Sequence, residues 1–338
     1  MVSYNKISVY AEHIYICLAF YIFIYINKMH NMKHLNTYIT EYIIKKKLDK
    51  AIDSEHKYHP QTKDELIENI KKLLDKEETN FNCIDTSAIT DMSNLFRSLD
   101  IYTIDISEWN VSNVTNMSNM FYCCQEFNCD LSSWNVSKVE NMSYMFYYCK
   151  NFKCEGLDKW DVSNVTNMYG MFDCCKYINF DLNKWNVSNV ENISHMFYAC
   201  RNLDYDLSNW NVSKVKDMKY MFYKCENFTG KGLENWDVSN VEDMQDMFED
   251  CENFNCDLSK WDVSNVKDMK YMFYNCGNFD CELSNWDVSN VETMTEMFYY
   301  CKKFNCDLNK WDVSKVKNTD DMFWYCHNLK NKPSWYKE

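Results

Sequence analysis

Trp261-Asp-Val-Ser-Asn-Val-Lys-Asp-Met-Lys-Tyr-Met-Phe-Tyr-Asn-Cys276 is one copy of a pattern that fills most of the chain. Its leading tryptophan recurs at Trp109, Trp134, Trp160, Trp185, Trp210, Trp236, Trp261, Trp286 and Trp311, with a spacing of 25 residues that becomes 26 twice. A fixed period of this size means stacked copies of one unit, each unable to bury its apolar face alone. The segment Ile84-Asp-Thr-Ser-Ala-Ile-Thr-Asp-Met-Ser-Asn-Leu-Phe96 is a degenerate first copy. Ten coils therefore begin at 84, 109, 134, 160, 185, 210, 236, 261, 286 and 311.

Within a coil, Met117, Met120, Phe121 and Cys124 lie at i, i+3, i+4 and i+7, which predicts a short amphipathic helix. Ser137-Lys-Val-Glu140, Ser188-Asn-Val-Glu191, Ser239-Asn-Val-Glu242 and Ser289-Asn-Val-Glu292 read as capping boxes that open it. Phe127, Cys129 and Leu131 then alternate with Asn128, Asp130 and Ser132, the period-2 pattern of a strand with one buried face. Strand and helix alternation predicts an α/β fold of parallel strands with right-handed crossovers. Strands ~4.8 Å apart under helices ~8–10 Å apart must curve, so the expected architecture is a horseshoe-shaped solenoid of about ten strand-helix coils.

These coils resemble the leucine-rich-repeat superfamily, specifically the BspA-like surface-protein repeat of bacterial surface proteins and lipoproteins and of protist and giant-virus proteins. The resemblance covers residues 58 to 335. It is carried by Trp-Asn/Asp-Val-Ser-Asn/Lys-Val-x-x-Met/Ile-x-x-Met-Phe-x-x-Cys, with Thr319 the one departure at the first Met position, and by the lead-in Lys57-Tyr58-His59-Pro60-Gln-Thr-Lys-Asp-Glu-Leu66. The chain departs from such proteins in carrying neither a lipobox nor a cell-wall anchor. The resemblance implies a leucine-rich-repeat-like fold and an adhesion or protein-interaction role, with no catalytic residues.

The sequence divides into an apolar segment at 1–28, a helical cap region at 29–80, the repeats at 81–330 and a C-terminal cap at 331–338. Ile14 to Ile26 is an apolar run of 13 residues, short of the ~20 that a membrane span needs. A signal peptide, a membrane anchor through residues 7–26 and a buried or untranslated extension all remain open. Leu35, Ile39, Tyr42 and Ile43 suggest an amphipathic helix within 32–51. Thr62-Lys-Asp-Glu65 is a capping box, followed by Leu66, Ile67, Ile70, Leu73 and Leu74 on one helical face, suited to covering the end of the array.

Hydrophobic residues at 46% and aromatics at 17% exclude disorder despite the Asn-rich surface. A net charge of −14 argues against a nucleic-acid partner and toward a basic one. Of 18 cysteines, one stands at the same position in every full coil, from Cys124 to Cys326. That invariance suits small buried packing residues, and reduced thiols suit an intracellular or intravirion setting. No metal or cofactor is expected.

The tryptophans form the expected structural spine. Asp130, Glu155, Asp181, Asp206, Asp257, Glu282 and Asp307 place one carboxylate per coil on the outward strand position, a candidate acidic concave face that is otherwise simply solvated. Tyr144, Tyr147, Tyr220, Tyr223, Tyr271, Tyr274 and Tyr299 form an aromatic set on the helix side, either stacked between coils or a second contact stripe. His195 and His327 look isolated, and no catalytic constellation is legible. The expected function is a non-enzymatic interaction scaffold binding a basic protein through the acidic face. The alternative is an anchored surface or adhesion protein acting by avidity.

Overall fold

The computed structural model describes residues 56–337 except 100, 102 and 179. Lys57–Glu338 is one compact unit. Its one helix among the described residues, α1 (Lys63–Leu74), begins where Thr62 Oγ1 accepts the Glu65 N–H at 3.2 Å, and the Glu65 carboxylate reaches back to the Gln61 N–H at 2.7 Å. Leu66, Ile70 and Leu73 are buried in the same apolar cluster as Phe81 and Ile84. Lys63 Nζ ties α1 to the first coil through Asp91 (3.0 Å) and Ser93 (2.6 Å). The amphipathic helix expected within 32–51 and the apolar segment 1–28 lie outside the described residues.

The strand-helix horseshoe is overturned. Beyond α1, the described residues contain no repeat helix and no extended sheet, only three single-turn 3-10 segments at Leu157–Lys159, Leu182–Lys184 and Leu233–Asn235 and isolated parallel bridges. Where helices were expected, the chain runs through consecutive tight turns. In one coil the N–H groups of Met117, Asn119, Phe121 and Cys123 donate to Asn141, Ser143, Met145 and Tyr147 of the next coil at 2.8–2.9 Å. The intervening N–H groups of Met120, Tyr122 and Cys124 close turns onto Met117, Asn119 and Phe121. Alternate donors thus point along the stack and within the coil.

An α-helix would send every N–H along its own axis and leave the coils unconnected. Re-aiming the peptides requires left-handed residues at two places per coil, such as Asn119 (φ 56°) and Cys123 (φ 60°), then Tyr144 (φ 54°) and Tyr148 (φ 58°). That conformation costs ~1–2 kcal/mol per non-glycine residue. The bonds between coils must hold it in place. The supposed capping boxes are turns too: Ser137 N donates to Asn135 Oδ1 at 3.1 Å, and Glu140 N donates to Thr115 O of the preceding coil at 2.8 Å.

The expected strand is also absent, although Phe127 and Leu131 are buried as its alternation requires. In place of a backbone ladder, a side chain bridges neighbouring coils: Lys153 N donates to Asn128 Oδ1 at 3.0 Å, and Asn305 N to Asp280 Oδ1 at 3.2 Å. Backbone pairing occurs instead at single bridges such as Asn116 with Asn141 and Asp243 with Asp268. Just before each bridge stands a column whose later members alternate in sign, Glu191, Lys216, Glu242, Lys267, Glu292 and Lys317. Lys267 pairs with Glu242 and Lys317 with Glu292.

The core is a set of columns. Tryptophans are buried, and their indole N–H groups donate to the carbonyl three residues before the preceding tryptophan, as Trp210 does to Leu182 at 2.8 Å and Trp261 to Leu233 at 2.8 Å. Trp335 continues this column by stacking on Trp311 at 6.4 Å, within the stretch read as a C-terminal cap. Phenylalanines from Phe96 to Phe323 form a second stack, with Phe121 and Phe146 rings 5.6 Å apart and 3° from parallel. The invariant cysteine is more than an apolar filler: its thiol donates to the phenylalanine carbonyl one coil back, Cys200 to Phe172 at 3.1 Å and Cys225 to Phe197 at 3.1 Å.

That bond explains why this cysteine recurs while the cysteine five residues later gives way to Phe180 and Tyr205. Cys225→Val keeps apolar volume but removes one of the two donors to the Phe197 carbonyl, which still accepts the Cys200 N–H at 3.0 Å, so the expected cost is that of one net hydrogen bond, ~0.5–1.5 kcal/mol. Urea denaturation is expected to place Cys225→Val below Cys225→Ser, which keeps a donor. The reverse order would make the site a matter of packing alone.

Candidate functional site

The left-handed turn residues line up from coil to coil. Their column runs Asn119, Tyr144, Gly170, His195, Tyr220, Asp246, Tyr271 and Glu296; a second column three residues on runs Tyr122, Tyr147, Asp173, Tyr198, Tyr223, Glu249, Tyr274 and Tyr299. Between them lies a groove of about 660 Å³ extending from Tyr122 to Tyr271. Its floor is aromatic. Tyr122 stacks on Tyr147 at 4.4 Å, Tyr198 on Tyr223 at 4.4 Å, and Tyr274 on Tyr299 at 4.8 Å. Tyr144 meets Tyr147 edge-on at 5.5 Å, as Tyr220 does Tyr223 at 5.6 Å and Tyr271 does Tyr274 at 5.8 Å. Tyrosines in the set expected from sequence are half-buried and stacked between coils, on turns instead of helices.

Both columns break their tyrosine run in the same two coils. In one the pair is Gly170 and Asp173, in the other Asp246 and Glu249. Gly170 is left-handed (φ 58°), and the Tyr144 ring leans so closely over it that an added Cβ would lie 2.5 Å from Cδ1. Asp173 is 5% exposed and Asp246 3% exposed, yet Asp173 Oδ1 and Asp246 Oδ2 have no hydrogen-bond partner. A buried unpaired carboxylate oxygen is expensive.

The protonation equilibria register that cost. Burial pushes Asp173 up to about 7, against a thiol hydrogen bond from Cys174 that lowers it. Burial, followed by the adjoining Asp246, pushes Glu249 far above the carboxylate range, so the Asp246 and Glu249 pair retains a proton at neutral pH. His195 is drawn down to about 4 by burial and then by Lys219, which leaves it neutral. Burial and Asp173 raise the Cys174 thiol to about 12, the opposite of what a nucleophilic thiolate requires. The tyrosine phenols are likewise raised, Tyr147 and Tyr198 to about 12, chiefly by burial, and remain donors.

Sequence reasoning missed these acids and treated His195 as isolated. The available signal was the interruption of two tyrosine columns in coils that each follow a 26-residue spacing. The carboxylates it did select sit elsewhere. With no sheet among the described residues, they line no sheet face: Asp130, Glu155, Asp181, Asp257, Glu282 and Asp307 are exposed and Asp206 is half-buried. Asp130, Asp181, Asp206, Asp257, Glu282 and Asp307 each accept the backbone N–H two residues on, at 2.8–3.1 Å, and so brace the turn before the tryptophan. Hydrogen bonds from Ser208 and Ser259 hold Asp206 and Asp257 low, and the Cys306 thiol is the largest cause at Glu282.

Among the described residues, no group of His, Cys, Asp and Glu is arranged to hold a metal ion, and no helix is long and apolar enough to cross a membrane. Residues 7–26, the proposed anchor, lie outside them. A family model described as "Mycoplasma protein of unknown function, DUF285" matches residues 65–155, 152–231 and 217–336. The chain belongs to this family. No curated protein and no solved structure matches it. Membership establishes a tandem-repeat protein, and in this DUF285 chain the regular repeat is interrupted at the groove.

Because folding raises the Asp173 pKa above its ordinary ~3.9, its contribution to stability is full below that value and is lost as pH rises through about 7. Asp173→Asn is therefore expected to stabilise the unliganded protein at pH 8, by up to about 4 kcal/mol at ~1.4 kcal/mol per unit, and to change little at pH 4. Thermal melts at both pH values test this. Destabilisation at pH 8 would mean that the carboxylate already has a structural partner.

Proposed function

We propose that this chain is a non-enzymatic scaffold that binds a basic protein partner through the tyrosine-lined groove. The observation that carries this reading is the pair of buried, unpartnered carboxylate oxygens on Asp173 and Asp246. An ammonium or guanidinium group would complete their hydrogen bonding and favour the ionised form. Tyrosine faces add cation-π attraction, worth ~0.5–2 kcal/mol each. The protein already uses such contacts on itself: the Arg97 guanidinium lies 4.4 Å from the Tyr122 ring centroid. The overall charge of −14 steers basic partners toward the molecule.

The raised Cys174 thiol and neutral His195 support binding over nucleophilic catalysis. The motif resemblance to BspA-like surface repeats supports the same class of function. A preformed groove also limits the ordering cost of association.

Pentalysine is the direct probe. It is expected to bind, to weaken with added salt, and to bind more tightly as pH rises from 6 to 9 while Asp173 and the Asp246–Glu249 pair give up protons. The groups facing these acids are Tyr144, Tyr147, Cys174, His195, Tyr198, Tyr220, Tyr223, Asp250, Asp268, Tyr271 and Tyr274, with Lys150, Arg201 and Lys224 near them. Calorimetry in buffers of different ionisation enthalpy should show proton release on binding. Equal affinity for the fully acetylated peptide, or binding unchanged in Asp173→Asn with Asp246→Asn, would overturn the assignment.

A further inference from the structure

Resting on the basic-partner reading, we infer that the groove recognises an extended segment carrying two cationic side chains four residues apart, one over Asp173 and the other over Asp246 and Glu249. The argument begins with repetition at a longer scale. Gly156-Leu-Asp-Lys-Trp160 and Gly232-Leu-Glu-Asn-Trp236 are 76 residues, or three coils, apart. Gly156 (φ 85°) and Gly232 (φ 91°) are both left-handed, and each precedes a 3-10 turn. An added Cβ at either would lie 2.4 Å from the backbone of the coil before it, at Ser132 or Ser208. The coil that follows each glycine holds the acidic break.

Neighbouring coils are joined by parallel bridges, so their spacing is that of paired strands, ~4.8 Å. Three spacings separate the two breaks by roughly 14 Å. An extended peptide advances ~3.3–3.4 Å per residue and returns a side chain to the same face at every second position. Residues i and i+4 of such a peptide therefore span about 13–14 Å on one face, matching the breaks. Residues i and i+3 point to opposite faces.

The surface between the breaks fits this spacing. It holds the stacked Tyr198–Tyr223 pair and His195, whose ring centre is 4.7 Å from that of Tyr220. The neutral imidazole does not repel a flanking cation. Residue i+2 would face this aromatic platform, which suits an apolar or aromatic side chain. Two acidic ends joined by one backbone also give the second contact a high effective concentration.

The test uses the full chain and fluorescein-labelled peptides Lys-(Ser)n-Lys with n of 1, 2, 3 and 5, plus Lys-Ser-Ser-Ser-norleucine, followed by anisotropy. The n = 3 peptide is expected to bind at least tenfold more tightly than the other spacings and the one-lysine control. Asp173→Asn, or Asp246→Asn with Glu249→Gln, should each reduce it to the one-lysine level, while melts of the Asp173→Asn protein rise or hold and so exclude unfolding. A flat spacing series with binding retained would overturn the two-point geometry and leave the basic-partner reading standing. Failure of every lysine peptide to bind, with pentalysine also inert, would overturn both.

Discussion

Every coil hands alternate backbone N–H groups to the carbonyls of the next, and the remaining structure answers to that arrangement. It requires left-handed residues twice per coil, and it forbids the helix that the Met-Phe-Cys spacing suggests. The carbonyls at the Phe and Leu positions each accept one turn N–H within their own coil and have a second lone pair free to accept from the stack, as at Phe197 and Leu182. The thiol of the invariant cysteine serves the phenylalanine carbonyl, and the tryptophan indole serves the carbonyl at the leucine position. Residues that look like pure packing are therefore also donors. Each supplies a second hydrogen bond to a carbonyl already closed into a turn, a net gain of ~0.5–1.5 kcal/mol per coil that gives both identities a reason to recur.

The period, the tryptophan spine, the buried Met, Phe and Cys positions and α1 with its Thr62 cap were legible in the sequence. The path of the chain between them was not. A helix and a run of turns with a left-handed residue at Asn119 bury the same Met117, Met120, Phe121 and Cys124, so apolar periodicity cannot separate them. The distinguishing signal lay in the polar column. Asn94, Asn119, Gly170, His195, Asp246 and Asp321 are rich in the residue types that most readily adopt positive φ. The strand pattern failed for a related reason, because alternation reports an extended chain with one buried face and says nothing about what bridges it to a neighbour. At Asn128 that bridge is a carboxamide.

The groove was hidden because it is made by departures from the repeat. Tyr144 and Tyr147 were visible as an aromatic pair, but their meaning depends on Gly170 and Asp173 one coil away and on Asp246 and Glu249 three coils beyond those. The exposed carboxylates such as Asp130 and Asp257 kept the period and proved to brace turns. Regularity marks what the stack needs for itself. The interruptions leave one buried oxygen each of Asp173 and Asp246 without a hydrogen-bond partner, at a stability cost that a cationic ligand would offset.

The most direct test is a carbon-detected NMR titration of the Asp173 carboxyl in the protein alone and with the n = 3 lysine peptide. The account predicts a midpoint near 7 in the free protein, falling well below that when the peptide occupies the groove. A free-protein midpoint in the ordinary carboxylate range near ~4, unmoved by the peptide, would contradict it.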